Sequence, residues 1–377
     1  MTRTAIIGTG WIAHEHVLAL RGIPGVDIVA VSSSDLDRAR EFARDHDIPL
    51  ALAPHMEAPA IPQLDAVHIC TKNAEHFAQC RLAIENGKHV VAEKPLAANS
   101  EETAVLLQLA HDRGIVHSCN YHYRAYPMVQ YARELIARGE LGDVQLVQGC
   151  YTQDWLLQAN DYNWRLDPGD GGMSGAFGDV GSHWFDLMEQ VTGHRITEVH
   201  SRLRTAVPER IVELNGSTKT IPIEMDDCGV VSFELDNGSV GSAVVSQVAA
   251  GRKNRLWLEV SGSKTSIGWS QEEPDQLWVG HRDRANELLM RDVRMTSDEV
   301  LPPGHPFGWR DAIRRNLRSV YHRIGNSNGA RNELVPFATF SDGHRSLQLV
   351  EAVVRSAAEK AALRLEMPVG TPGAQRA

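Results

Sequence analysis

The chain has 377 residues, 42% hydrophobic and 23% charged, a balance that buries a sizeable core without disulfide or metal staples and excludes long disorder as its main content. Lys and Arg number 38 against 48 Asp and Glu, and the formal charge of −10 argues against nucleic acid or an anionic membrane as the main partner. There is no apolar run near the ~20 residues of a membrane span, no signal-peptide pattern in MTRTAIIGTG, and no C-x-x-C spacing among the 5 cysteines, so a cytoplasmic protein without a metal site is expected.

Strand and helix alternate through the first third. Thr4 to Gly8 is an apolar run stopped by glycine, as a buried parallel strand is, and a helix follows from Ile12 to Arg21. Val26 to Val31 reads as the second strand and Asp35 to Asp45 as the second helix; Ala51 to Ile61, with two prolines, shows no clear element. Asp65 to Cys70 is a strand, Glu75 to Asn86 a helix closed by Gly87, and Lys88 to Glu93 a strand ended by Lys94-Pro95. Ser100 with Glu101 and Glu102 opens another helix, and Ile115 to Asn120 gives one more strand. Such β-α alternation implies a parallel sheet covered on both faces.

Beyond Tyr123 the texture changes. Pro127 starts a helix ending near Gly139, after which strands dominate at Val144 to Trp155, Val199 to Thr205, Cys228 to Leu235, Ser239 to Val248 and Arg255 to Ser261. Asp236-Asn237-Gly238 between two alternating runs is a hairpin turn. Helices return at Phe307 to His322 and Ser341 to Leu365, and the last ten residues are expected to fray. The expectation is an α/β chain: a Rossmann domain over 1–122, then an α+β domain over 123–377 with a large, mostly antiparallel open sheet. Apolar residues such as Val230, Val231, Phe233, Val244, Val245, Leu256 and Leu258 suggest a sheet apolar on both faces, and so a homodimer or homotetramer formed through it.

Gly8-Thr9-Gly10-Trp11-Ile12-Ala13 follows the first strand and opens the first helix, the context in which a glycine turn holds a dinucleotide pyrophosphate at a helix N-terminus. The second strand ends in Ser32-Ser33-Ser34-Asp35 rather than in the usual carboxylate. Ser33 and Ser34, with Arg38 one turn further, suit either a ribose hydroxyl or a 2′-phosphate, so NAD and NADP both remain open; Asp35 reads equally well as a helix cap.

Lys94 ends a strand on the carboxyl side of the sheet, where α/β folds place ligands. The sharp turn there predicts a cis Lys94–Pro95 peptide. Asp179 and His183, four residues apart at the start of a helix, put a carboxylate and an imidazole on one face, a pair suited to proton transfer; a capping Asp and a packing His are the bland alternative. Gly171, Gly172, Gly175, Gly178 and Gly181 just upstream suggest close approach of a ligand to backbone. Tyr151, Gln153, Asp154, Trp155, Tyr162, Trp164 and Arg165 form an aromatic and polar set of the kind that binds sugar, and Tyr123 joins it as a candidate; an aromatic sheet core would also account for it. His14-Glu15-His16 lacks the spacing and third ligand of a metal site.

In order along the chain, the glycine turn with His16, Asn73 and His76, Glu93-Lys94-Pro95, Asn120-Tyr121 and Asp179-x-Gly181-x-His183 resemble the glucose–fructose oxidoreductase/inositol dehydrogenase (Gfo/Idh/MocA) family of NAD(P)-dependent oxidoreductases. The resemblance covers the whole chain. It implies Lys94, Asp179 and His183 as the catalytic group, and Gly8, Gly10, Trp11, Ile12, Ser33, Ser34, Arg38, Asn73, His76 and Glu93 as the cofactor side. Gln153, Trp155, Trp164 and Arg165 are similar to the substrate side of the family's sugar and levoglucosan dehydrogenases. Two departures are Lys72, where the family usually has proline, and the missing acidic residue after the second strand. The implied reaction moves a hydride between a ring carbon of a sugar or cyclitol and NAD(P). Glycoside cleavage through transient oxidation and a non-catalytic dinucleotide sensor are the alternatives.

Overall fold

The structure, a computed structural model, describes residues 1–365 apart from 215, 293–294, 296–300, 303 and 327–334. The last ten residues, expected to fray, lie outside the described residues.

Six parallel strands form the first sheet: β1 (Thr2–Ile7), β2 (Val26–Ser32), β3 (Leu50–Leu52), β4 (Ala66–Ile69), β5 (His89–Ala92) and β6 (His117–Cys119), in the order β3-β2-β1-β4-β5-β6. The central strands are buried on both faces, β4 at every residue, because helices cover each side, whereas edge strand β3 has no buried residue. Strand order reverses between β1 and β4. The glycine turn leaves β1 there, and Thr71 to Asn73 leaves β4, so the site stands at the topological switch point. The segment without a clear element contains β3 and a short 3₁₀ helix, His55–Ala60.

The second sheet has nine strands: β7 (Val144–Thr152), β8 (Ile196–Arg204), β11 (Cys228–Leu235), β12 (Val240–Ser246), β13 (Arg255–Gly262), β14 (Thr265–Ser270), β15 (Gln276–His281), β16 (Glu287–Met290) and β17 (Leu363–Arg364). The order is β16-β15-β14-β13-β7-β12-β11-β8-β17, with β7 and β12 parallel and the other pairs antiparallel. A separate hairpin joins β9 (Glu209–Leu214) to β10 (Ser217–Pro222). Asp236-Asn237-Gly238 turns β11 into β12, with Gly238 at φ 81°.

Boundaries differ where tertiary contacts intervene. The strand expected to reach Trp155 stops at Thr152, which leaves Trp155 in a loop, and the last long helix spans Phe340–Glu359 before the chain adds β17. Strands β9, β10 and β14 to β16 escape sequence reading because polar residues and turns break their alternation. The apolar residues expected on both sheet faces also sort differently. Val231, Phe233, Val245, Leu256 and Leu258 all face inward, against helices Pro127–Ala137, Ser182–Thr192 and Phe340–Glu359, whereas Val230 and Val244 face out.

After the second sheet the chain returns to the first. Ile313, Leu317, Val320 and Tyr321 of helix Trp309–Gly325 pack with Val17, Leu20 and Val31, and Arg310 makes a bidentate pair with Glu15 at 2.7 and 2.8 Å.

Candidate active site

The glycine turn is built for an anion. Gly8 has φ 111°, and a Cβ there would stand 2.5 Å from the Cys70 carbonyl oxygen, so only glycine fits. Gly10 caps helix Trp11–Arg21 without a side-chain hydrogen bond, no acidic residue occupies the first turn, and a Cβ at Gly10 would meet nothing within 4 Å. Free N–H groups at an open helix N-terminus fit a pyrophosphate. Beside it Trp11 is 67% exposed and Ile12 half-buried. At the tip of β2 the buried Ser33 hydroxyl accepts from Asp35 N–H at 3.3 Å and meets the Thr9 hydroxyl at 3.5 Å, while Ser34 and Arg38 are exposed. Asp35 is the helix cap, accepting from the N–H groups of Asp37 and Arg38.

Lys94 stands on a cis Lys94–Pro95 turn, as the sequence predicts, and His76 Nδ1 donates to the Pro95 carbonyl at 2.7 Å. The Lys94 ammonium donates to Asp179 Oδ1 at 2.6 Å and to the Asp179 carbonyl at 2.8 Å. Arg165 Nε lies 3.3 Å from the same carboxylate, and Gln247 Nε2 donates to its other oxygen at 2.8 Å. Burial resists charge on Asp179, but the Lys94 ammonium and the Arg165 guanidinium hold its carboxyl down at about 2.

His183 is not part of this ion pair. Residues Phe177–Gly181 form a wide π-helical turn ahead of helix Ser182–Thr192, and no hydrogen bond joins Asp179 to His183. The expectation that Asp179 supports His183 gives way to an Asp179 committed to Lys94. The His183 ring instead stands edge-on among Tyr121, Tyr123 and His122, with centroids 5.2, 5.0 and 5.6 Å away. Burial above all, with the charges of Lys94 and His122, keeps its pKa well below the ordinary 6.5. His183 thus rests as a neutral imidazole whose protonated form is disfavoured by burial and by the charge of the Lys94 ammonium, itself a group able to stabilise an alkoxide.

Glu93 turns inward. Its Oε1 accepts from His16 Nε2 at 2.9 Å and from Asn120 Nδ2 at 2.6 Å, and its Oε2 accepts from Lys94 N–H at 3.3 Å. The chain of bonds continues through His16 to His68 at 2.7 Å, Tyr321 at 2.9 Å and Thr4 at 2.9 Å. Asn73 Nδ2 donates to the Gly171 carbonyl at 2.9 Å, and Lys72 pairs with Asp170 at 2.6 Å, which ties the first sheet to the loop before Asp179. In that loop glycine serves backbone packing: a Cβ at Gly171 would lie 2.1 Å from the Arg165 carbonyl oxygen, and one at Gly175 2.2 Å from that of Asp226.

From the His183 ring a hydrogen-bonded row runs outward. Tyr123 and Tyr151 hydroxyls meet at 2.6 Å, Tyr151 and Gln153 Nε2 each donate to Asn254 Oδ1 at 2.8 Å, and Trp155 Nε1 donates to Gln153 Oε1 at 2.9 Å. Arg165 lies over the Trp164 ring, 4.4 Å from its centroid. Asp154 belongs instead to Lys253 and Gly251, and Tyr162 is exposed. Gln247 and Asn254 join the site with no local sequence signal, since each follows or precedes a strand that only the sheet order brings here.

Known proteins resemble this chain in sequence and in fold. Residues 2–121 match the oxidoreductase family with an NAD-binding Rossmann fold, and residues 129–268 match the Gfo/Idh/MocA C-terminal domain. Levoglucosan dehydrogenase of Pseudarthrobacter phenanthrenivorans is 30% identical over 325 residues, 80% of this chain and 81% of its own. The structure of a levoglucosan dehydrogenase with NADH and L-sorbose superposes with a TM-score of 0.90 at 26% identity, covering 97% of this chain and 99% of the other. An inositol dehydrogenase homolog complexed with NAD⁺ from Azotobacter vinelandii gives 0.86 at 26% identity, covering 97% of each chain. The glycine cradle, the switch-point site and these matches over both halves make the chain a member of the Gfo/Idh/MocA family of NAD-binding oxidoreductases, an NAD-dependent dehydrogenase.

Proposed function

We propose that the enzyme oxidises a ring hydroxyl of a neutral cyclic sugar or cyclitol. The observation that carries this reading is a neutral His183 beside the Lys94–Asp179 ion pair, at the head of an uncharged row of Tyr123, Tyr151, Asn254 and Gln153. Bound NAD supplies the hydride acceptor. His183 takes the hydroxyl proton, and the Lys94 ammonium donates a hydrogen bond to the developing alkoxide. Asp179 keeps Lys94 in place. Gln153 and Trp155 face the sugar hydroxyls and the ring, with Arg165 on Trp164 opposite. Gly8, Gly10, Trp11 and Ile12 hold the pyrophosphate, Ser33 and Ser34 with Arg38 the adenosine ribose, His76 and Glu93 shape the lysine turn, and Asn73 ties the cofactor side to the loop at Gly171.

Levoglucosan, myo-inositol and L-sorbose, each offered with NAD and with NADP, test the reading through NADH or NADPH absorbance. Formation of reduced cofactor with a panel member is the expected result; no turnover on any of them overturns it. Glycoside cleavage without accumulation of reduced cofactor would point to elimination instead. Ser33→Asp is expected to weaken NADP binding selectively, because a carboxylate at that tip repels a 2′-phosphate and accepts from a ribose hydroxyl. Equal loss of both cofactors in a titration would place Ser33 away from the ribose.

A homodimer or homotetramer formed through the second sheet is part of the same proposal. Val230 and Val244 are cross-strand partners at 48% and 46% exposure, and Val240 and Leu146 are partners at 54% and 42%. These apolar pairs, with the polar row of Ser232, Ser242 and Gln148 between them, form the kind of mixed outer face an oligomer covers. Light scattering is expected to give a multiple of the chain mass, reduced in Val230→Glu/Val244→Glu; a monomer at micromolar wild-type concentration would contradict it. Among the described residues no helix is long and apolar enough to cross a membrane.

A further inference from the structure

Arg210 is fully buried, an unusual place for a guanidinium. It lies on β9, opposite Ile221 of β10, and this hairpin closes a small apolar cluster of Leu156, Leu166, Ile221, Ile223 and Met225, separate from the main cores. Nη1 donates to the carbonyls of Leu156 at 2.7 Å and Gln158 at 2.6 Å, while the buried Nε and Nη2 have no hydrogen-bond partner among the described residues. One residue further, Ile211 N–H donates to the Ala159 carbonyl at 2.8 Å.

The segment so gripped runs from Gln153 to the 3₁₀ turn Trp164–Leu166. Gln153 N–H donates to the Ser246 carbonyl and its own carbonyl accepts from Ala249 N–H, each at 2.8 Å, and the Gln158 carbonyl also accepts from Asp161 N–H at 3.0 Å, whereas the carbonyl of the buried Leu156 takes its donor from Arg210. An apolar side chain at position 210 would fill the cluster without the cost of burying a charge, so what the guanidinium adds is directional. It binds the carbonyls of the first and third residues after Trp155. The hairpin that carries it is itself anchored: Asp227, buried, accepts from Ala206 N–H at 2.7 Å and Val207 N–H at 2.8 Å just before β9. Its neighbour Asp226 accepts from the Ser174 hydroxyl and the N–H groups of Gly175 and Phe177 ahead of Asp179. Two adjacent carboxylates therefore brace both the turn that presents Asp179 and the hairpin that presents Arg210.

We propose that Arg210 is a positioning residue for substrate: through the Leu156 and Gln158 carbonyls it fixes the backbone that sets Gln153 and Trp155 against a bound sugar. The inference rests on the reading of Gln153 and Trp155 as substrate contacts. Its test compares Arg210→Met, Arg210→Lys and Trp155→Ala in the full chain, using the panel sugar with the highest kcat/KM, together with NADH affinity by fluorescence titration and the melting temperature. Arg210→Met is expected to raise KM about 5–20-fold with kcat within about twofold and NADH affinity unchanged, because a loosened wall removes binding common to ground and transition states. Arg210→Lys, which keeps one charged donor, falls between; if the methionine variant is insoluble, the lysine variant decides by the same criteria. A normal KM in the Arg210 variants beside a raised KM in Trp155→Ala overturns the role of Arg210 and leaves the wall standing. A normal KM in Trp155→Ala overturns both. Loss of NADH affinity and melting temperature in step with KM would make Arg210 a general stabiliser and also overturn the proposal.

Discussion

Lys94→Ala and His183→Ala are each expected to lower kcat by about 10²–10⁴-fold while leaving dinucleotide affinity nearly intact. The cofactor's anchor is the glycine turn and the open N-terminus of helix Trp11–Arg21, which neither side chain touches. Removing Lys94 leaves Asp179 with Arg165 and Gln247 and puts no ammonium where the alkoxide forms. Removing His183 leaves that ammonium in place but no neutral base. Both act on the same hydroxyl oxygen in one step, so the double variant is expected to lose much less than the product of the single losses. Asp179→Asn is expected to reduce kcat as well, by releasing Lys94 rather than by acting on His183. Steady-state kinetics and NADH titration check the set. Near-normal turnover in either single variant removes that residue from the mechanism, and strictly multiplicative losses would assign the two to separate steps.

His16→Leu is expected to destabilise the fold by about 3–5 kcal/mol, because it strands the buried Glu93 carboxylate without its partner. The pair is inside the protein, with the His16 side chain fully buried and Glu93 nearly so. Burial opposes charge on both. Even so, the hydrogen bond and charge of Glu93 hold the His16 pKa above 6.5, and the hydrogen bond and charge of His16 with the Asn120 amide pull Glu93 from 4.5 to about 2. The sign of the pH dependence follows. A depressed carboxyl contributes stability that is present above 4.5 and lost as pH falls through about 2; a raised imidazole contributes stability present below 6.5 and lost as pH rises through its raised pKa. These are two limbs of one bond and are not added. The stability gap between wild type and His16→Leu is therefore expected to be largest between pH 4.5 and 6.5 and to shrink on either side. Denaturant unfolding across that range checks it. A gap under about 1 kcal/mol at the plateau would mean that the two groups are not paired in the protein. His16→Leu/Glu93→Leu is expected to recover part of the loss, since removing both charges leaves neither one stranded.

Much of this protein is written locally. Short apolar runs mark β1, β4 and β5, with Gly8 stopping the first and Gly87 preceding the last, since a strand buried on both faces must be apolar throughout. Gly8 could be singled out because the glycine turn follows a strand and opens a helix, and the Lys94–Pro95 turn because proline permits the cis form. The parts of the site that are contiguous in sequence, the glycine turn and Glu93-Lys94-Pro95, were accordingly legible as candidates before any contact was known.

What the chain could not reveal locally is which charges meet. Spacing placed Asp179 beside His183, but a π turn and the docking of the lysine loop give Asp179 to Lys94, Arg165 and Gln247 instead. Glu93 stood in a motif facing the cofactor, yet its carboxylate is directed inward to His16 and Asn120. Asn254 and Arg210 carry no local signal, because each acquires its role only when a distant strand sets it against a loop about 50 to 130 residues away in sequence. Local sequence determines backbone conformation and the pattern of burial, which depend on near neighbours; hydrogen-bond and ion-pair partners are chosen by packing between elements, and that only the tertiary structure decides.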